Sequence, residues 1–106
     1  MPKYLFQGSF PVEGLKGLIK EGGSGRREAA EKLAESLGGK LEVYYFAFGK
    51  NDFYVIMDLP DNVSSCAGAL MANASGGTRV KTVVLLTPEE VDQAVKKTVD
   101  YRPPGQ

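Results

Sequence analysis

The sequence predicts an α+β domain in which a four-stranded antiparallel sheet carries helices on one face. Three observations lead there. Runs that alternate like strands and runs with helical apolar spacing follow one another as strand, broken helix, strand, strand, helix, strand, helix. The two middle strands flank Gly49-Lys50-Asn51-Asp52, a loop rich in turn formers. Two βαβ-type halves with right-handed crossovers then close such a sheet.

The elements follow in order. Tyr4 to Phe10 alternates, with Tyr4, Phe6 and Phe10 on one side, Lys3, Gln7 and Ser9 on the other, and Leu5 the exception. Pro11 opens a helix with Val12, Leu15 and Ile19 at helical spacing, which Gly14 and Gly17 weaken and Gly22-Gly23 end. Ser24 is expected to cap a second helical piece with Ala30, Leu33, Ala34 and Leu37 as its apolar stripe, ended by Gly38-Gly39. Leu41 to Phe48 and Phe53 to Leu59 are the hairpin strands. After Pro60, Asp61 or Asn62 caps a helix whose Val63, Cys66, Ala67, Leu70, Met71 and Ala74 are expected to face the core. Arg79 to Leu86 is the fourth strand. Thr87-Pro88-Glu89-Glu90 is a capping box with proline at the first helical position, and Val91, Ala94, Val95 and Thr98 are expected to face inward. Residues 1–100 thus make a single domain of the ferredoxin-like arrangement, and residues 101–106 an extended tail.

Composition closes several function classes. The 106 residues carry 13 Lys and Arg against 13 Asp and Glu, so there is no chain-wide basic field for nucleic acid. No apolar run is long enough for a membrane span, and MPKYLFQGSF lacks the pattern of a signal peptide, which makes a cytoplasmic protein the expectation. With no histidine and a single cysteine, Cys66, there is no internal disulfide, no zinc motif, and no Ser-His-Asp or Cys-His nucleophile. No metal site and no cofactor are expected. Cys66, on an apolar stripe, is expected to be a buried, inert thiol.

The strands are apolar on both faces. Leu41, Val43, Tyr45 and Ala47 alternate with Tyr44, Phe46 and Phe48 on the second strand, Phe53, Val55 and Met57 with Tyr54 and Ile56 on the third, and Val83 to Leu86 is apolar throughout. Helices cover one face only. Leaving the other wet would expose a large apolar patch, so a homo-oligomer packed sheet to sheet, most simply a dimer, is expected.

Two constellations carry candidate chemistry. Ser24, Gly25, Arg26 and Arg27 stand at a helix start, where free amides and two guanidiniums suit a carboxylate or phosphate. The segment follows a helix rather than a strand and matches no nucleotide-loop motif. Arginines paired with Glu28, Glu31 or a neighbouring subunit's carboxylate are the plainer alternative, and surface charge pairs are common. Asp52 and Asp58 bracket the third strand with Tyr54 between them, and Tyr44 and Phe46 are expected alongside on the paired strand. Asp52, Tyr54 and Tyr44 would suit proton handling on a small aromatic or keto substrate; a turn-capping Asp52 and packed tyrosines are the structural alternative. Arg79 and Lys81 form a positive edge to the same face, or charges that discourage edge pairing.

The hairpin FGKNDFYVIMDLPD and the segment VKTVVLLTPEEV resemble the GYD family, and the likeness runs from KYLFQGSF through TPEEVDQAVKK. That resemblance implies a ferredoxin-like fold of the dimeric α/β-barrel group, whose members include cofactor-independent monooxygenases, muconolactone-isomerase-like enzymes and ligand-sensing domains. Of the family's Gly-x-Tyr-Asp motif, Gly49 and Asp52 match, while Asn51 stands in the tyrosine's place. Three functions follow as expectations: binding of a small organic or anionic ligand; a cofactor-independent monooxygenase- or isomerase-like activity; or a structural module without ligand.

Overall fold

The computed structural model describes residues 1–106. Its elements are β1 (Lys3–Ser9), α1 (Val12–Ser36), β2 (Lys40–Phe46), β3 (Phe53–Asp58), α2 (Asn62–Ala74), β4 (Arg79–Leu85) and α3 (Pro88–Val95). The strands pair in the order β2-β3-β1-β4, every pair antiparallel, which is the ferredoxin-like topology expected from the alternation of elements.

Register decides which side chains share a face. Tyr4 and Phe6 oppose Met57 and Val55 across β1–β3, and these four point into the helix side with Phe53 and Phe10. Ala30 and Ala34 of α1 complete that core, and their small size lets the helix backbone lie close on the aromatic layer. Tyr4 is fully buried, and its phenol donates to Asn62 Oδ1 at 2.7 Å, which ties the first turn of α2 to the sheet. Burying that hydroxyl without an acceptor would be costly, so the hydrogen bond matters for orientation as well as stability.

The β2 side chains are distributed differently from the plain alternation expected. The hairpin turn pairs Phe46 with Phe53 and Tyr45 with Tyr54, so it is Tyr45, not Tyr44, that lies beside Tyr54. A bulge between Leu41 and Val43 then shifts the register by one, which turns Leu41 to the helix side with Tyr44 and Phe46. The open side holds Leu5, Val43, Tyr45, Tyr54, Ile56, Val83 and Leu85, with Gln7, Ser9, Arg79 and Lys81 at one end. No part of the chain covers it.

The helices depart from expectation in three places. The segment 12–36 is two helical pieces that break at Gly22 (φ 79°, ψ 171°), as expected of Gly22-Gly23, but the second piece starts from Gly22, two residues before the expected cap at Ser24, because only glycine adopts that backbone readily. In α2 the small residues Ser65, Gly68, Ala69 and Ala72 turn inward, while Val63, Cys66, Ala67, Leu70, Met71 and Ala74 turn out. Close approach favours this: Gly68 is buried, and a Cβ there would sit 2.9 Å from Leu37 Cδ1, so a larger residue would require Leu37 to move. Cys66 is accordingly an exposed thiol rather than a buried one. Third, α3 forms with the expected capping box, Thr87 Oγ1 accepting from Glu90 N at 3.1 Å and Thr87 N donating to Glu90 Oε1 at 2.9 Å, yet none of its residues is buried. In this chain α3 packs against neither α1 nor α2, and Val84 on the helix side of β4 also stays exposed.

Candidate ligand-binding site

The kink at Gly22 redirects α1 so that its second half crosses the sheet while its first half runs along the end of α2. Gly14 marks that second contact: a Cβ there would lie 1.9 Å from Gly77 O, a backbone approach that only glycine permits. Between α1, α2 and the sheet the structure leaves an apolar slot of about 80 Å³, walled by Phe6, Leu33, Phe53, Ala69 and Val80 among others. Its polar residues are Arg26 and Thr78, with the Tyr44 phenol. A wider groove between the first half of α1 and the end of α2 shares Arg26, Leu33, Ala72 and Thr78 with the slot, so Arg26 lines both.

Arg26 is two-thirds covered, and its Nη1 donates to Glu21 Oε1 at 3.3 Å across the kink. Glu21 therefore supplies the negative partner that a lone arginine over an apolar slot requires. Tyr44 lies beneath: burial pushes its phenol up to about 12, with Arg26 pulling the other way and Glu21 adding to the rise. A phenol and a guanidinium thus line the slot, with the Glu21 carboxylate in the adjoining groove.

The remaining sequence-derived candidates fall elsewhere. Ser24 is exposed and makes no side-chain hydrogen bond. Since the helical break is at Gly22, Gly23, Ser24 and Gly25 occupy the first turn after it, and Arg26 and Arg27 fall in the second, where the helix dipole acts weakly. Arg27 points away from the slot and meets Glu31 at 3.9 Å, the i,i+4 pair expected as its plainer role. Of the four-residue anion loop, only Arg26 reaches the cavity.

Asp52, Tyr54 and Tyr44 are not brought together. Asp52 Oδ2 accepts from Phe10 N at 3.0 Å, while its backbone N donates to Gly8 O at 2.7 Å, so the carboxylate latches the hairpin to the end of β1. Tyr54 lies on the open face, where its hydroxyl accepts from Asn51 Nδ2 at 3.3 Å. Tyr44 is on the opposite side of the sheet, its ring tilted 44° against Phe46 at a 4.9 Å centroid distance. Arg79 and Lys81 share the open face with Tyr54, and neither forms an ion pair.

One polar cluster had no sequence signal. Lys3 Nζ donates to Asp58 Oδ1 at 2.8 Å and to Glu42 Oε2 at 3.1 Å, bridging three strands at the edge of the open face. The Asp58 bond, then the Glu42 bond, raises the Lys3 pKa. Glu42 reaches it only because it is the bulged residue of β2, and a bulge leaves no mark in alternation. The chain holds no cluster of three or more potential metal ligands, and no helix is long and apolar enough to cross a membrane.

A ferredoxin-like α+β domain with an apolar slot under a kinked first helix, and with one bare sheet face, defines the class of protein. The chain belongs to the GYD domain family, whose model matches residues 4–95. No curated protein and no solved structure matches it.

Proposed function

We propose that this GYD-family chain binds a small organic anion with a short apolar tail, and that it does so as a homo-oligomer, most simply a dimer joined through its open sheet faces. The observation that carries the ligand reading is Arg26, which lines both the slot and the groove and is paired only with the partly exposed Glu21. The slot is about 80 Å³, roughly half the ~150 Å³ of an apolar cavity that admits benzene, which suits a tail of about three or four carbons. The self-association reading is supported by the bare apolar face formed by Leu5, Val43, Ile56, Val83 and Leu85, which costs free energy in water in proportion to its area.

The cofactor-independent enzyme reading has less support, because Asp52 is engaged by the Phe10 amide and the two tyrosines lie on opposite sides of the sheet. A purely structural module is the alternative should no ligand bind.

The test is a thermal-shift and NMR titration with a graded series: acetate, butyrate, hexanoate, butyl phosphate and, as the control of opposite charge, butylamine. Butyrate or butyl phosphate is expected to bind and to shift the resonances of Leu33, Ala69 and Val80. A ligand at twenty times its Kd stabilises by about 1.8 kcal/mol, several degrees in Tm. Arg26→Gln should abolish the shift while leaving the apo protein folded. Absence of binding by every anion at 20 mM, or equal binding by Arg26→Gln, overturns the ligand reading.

A further inference from the structure

The C-terminal segment carries an apolar surface that the fold leaves unused. Val91, Val95, Val99 and Tyr101 are exposed, and Val95 and Val99 are about three-quarters so. The segment stands away from the body, and the shape of the whole molecule records it. The radius of gyration is 16.7 Å, against about 13 Å for a compact chain of this length. The accessible surface is 7588 Å², roughly 1,800 Å² more than the ~5,800 Å² of a globular monomer of 11.4 kDa. Isolated helices as short as α3 are marginal in water, even with a complete capping box. Packing of its apolar stripe would supply what local signals lack.

We infer that α3 and the residues after it form an arm that packs on a second copy of this chain, the copy that covers the open sheet face; the inference rests on the self-association reading above. Three observations select that occupant. The first is area. Four strands about 4.8 Å apart and about seven residues long at ~3.3 Å each present roughly 400 Å² in projection, well short of the ~800 Å² per partner of a stable interface. The arm adds apolar surface on the same path. The second is chain continuity: β4, whose Val83 and Leu85 lie on the open face, runs directly through exposed Leu86 into the arm with Val91 and Val95.

The third is charge. Glu89 and Asp92 of α3 pair with nothing in the chain, and neither do Arg79 and Lys81 on the open face. β4 carries the two bases at its start and the arm at its end. A twofold axis that reverses strand direction therefore brings each arm to the basic end of the other protomer, acid to base. The outward stripe of α2 lies on the far side of the sheet from the open face and takes no part.

Sedimentation velocity on the full chain tests this, with Val91→Glu/Val95→Glu as the arm variant and Ile56→Lys as the sheet-face variant. Because α3 buries nothing in the monomer, the arm variant is expected to keep the wild-type circular dichroism in dilute solution and to weaken dimerisation at least tenfold. In a mixed dimer of isotope-labelled and unlabelled protomers, the Val91 and Val95 methyls should show intermolecular NOEs to the partner's sheet side. An arm variant that dimerises like wild type while Ile56→Lys is monomeric overturns the arm and leaves the sheet-face reading standing. A wild type that is monomeric at several hundred micromolar overturns both. Methyl NOEs confined to one chain, or running to Leu70 and Met71 of α2, overturn the arm's placement.

Discussion

Gly22→Ala and Gly17→Ala are the same substitution in the same helix, and the structure assigns them opposite signs. A Cβ at either position meets nothing within 4 Å, so neither change involves a clash. Gly17 has ordinary helical backbone, and replacing it removes unfolded-state entropy and improves helix propensity by about 0.5–1 kcal/mol. Gly22 sits at φ 79° and ψ 171°, a region populated almost only by glycine, where a side chain costs about 1–3 kcal/mol. Offsetting the unfolded-state gain leaves a net loss of about 1–2 kcal/mol for Gly22→Ala. For a domain of this size each kcal/mol moves Tm by roughly 4–5 °C. Thermal denaturation at matched protein concentration should therefore show Gly22→Ala down by about 4–9 °C and Gly17→Ala up by about 2–4 °C. A Gly22→Ala variant that melts at or above wild type would refute the kink as a held feature of α1, and with it the placement of Arg26 over the slot.

Three other outcomes follow from single contacts. Tyr44 titrates near 12 rather than near 10, so its contribution to stability is complete below pH 10 and is lost as pH rises from 10 to 12. Two units correspond to at most about 2.7 kcal/mol, reduced to roughly 1–1.5 by partial exposure; urea melts at pH 9 and 11 should show about half of that loss in wild type and less of it in Tyr44→Phe. Asp52→Ala removes the acceptor of Phe10 N and should cost about 1.5–3 kcal/mol in urea denaturation, whereas Asp52→Asn, which keeps an acceptor, should cost less. Gly8→Ala would place a Cβ 1.7 Å from Arg79 O, so β4 must separate from β1; a loss of at least about 2 kcal/mol and faster amide exchange on β4 are expected, and unchanged exchange would contradict the register.

Much of the fold was legible because it rests on local signals. Strand alternation in β1 and β3, the turn formers between β2 and β3, and the Thr87 capping box each act within a few residues, and each appears where expected. The side of a helix that faces inward is not local. On α2 the larger side chains predicted the wrong face, because the helix lies close to Leu37 on the side of Gly68 and its small neighbours. On α3 the stripe was read correctly as apolar, yet nothing in the chain receives it.

The candidate site divides along the same line. The sequence by itself determined the topology, the absence of histidine chemistry, and a break ahead of two arginines. Tertiary structure decided which arginine matters, since the conformation at Gly22 directs Arg26 to the slot and leaves Arg27 on the outer surface with Glu31. It also separated Tyr44 from Tyr54, through the register set by the hairpin turn, and assembled Lys3, Glu42 and Asp58 through a bulge. Side-chain chemistry and short-range propensity are written in neighbouring residues. Facing, register and burial are set by what the rest of the chain leaves room for.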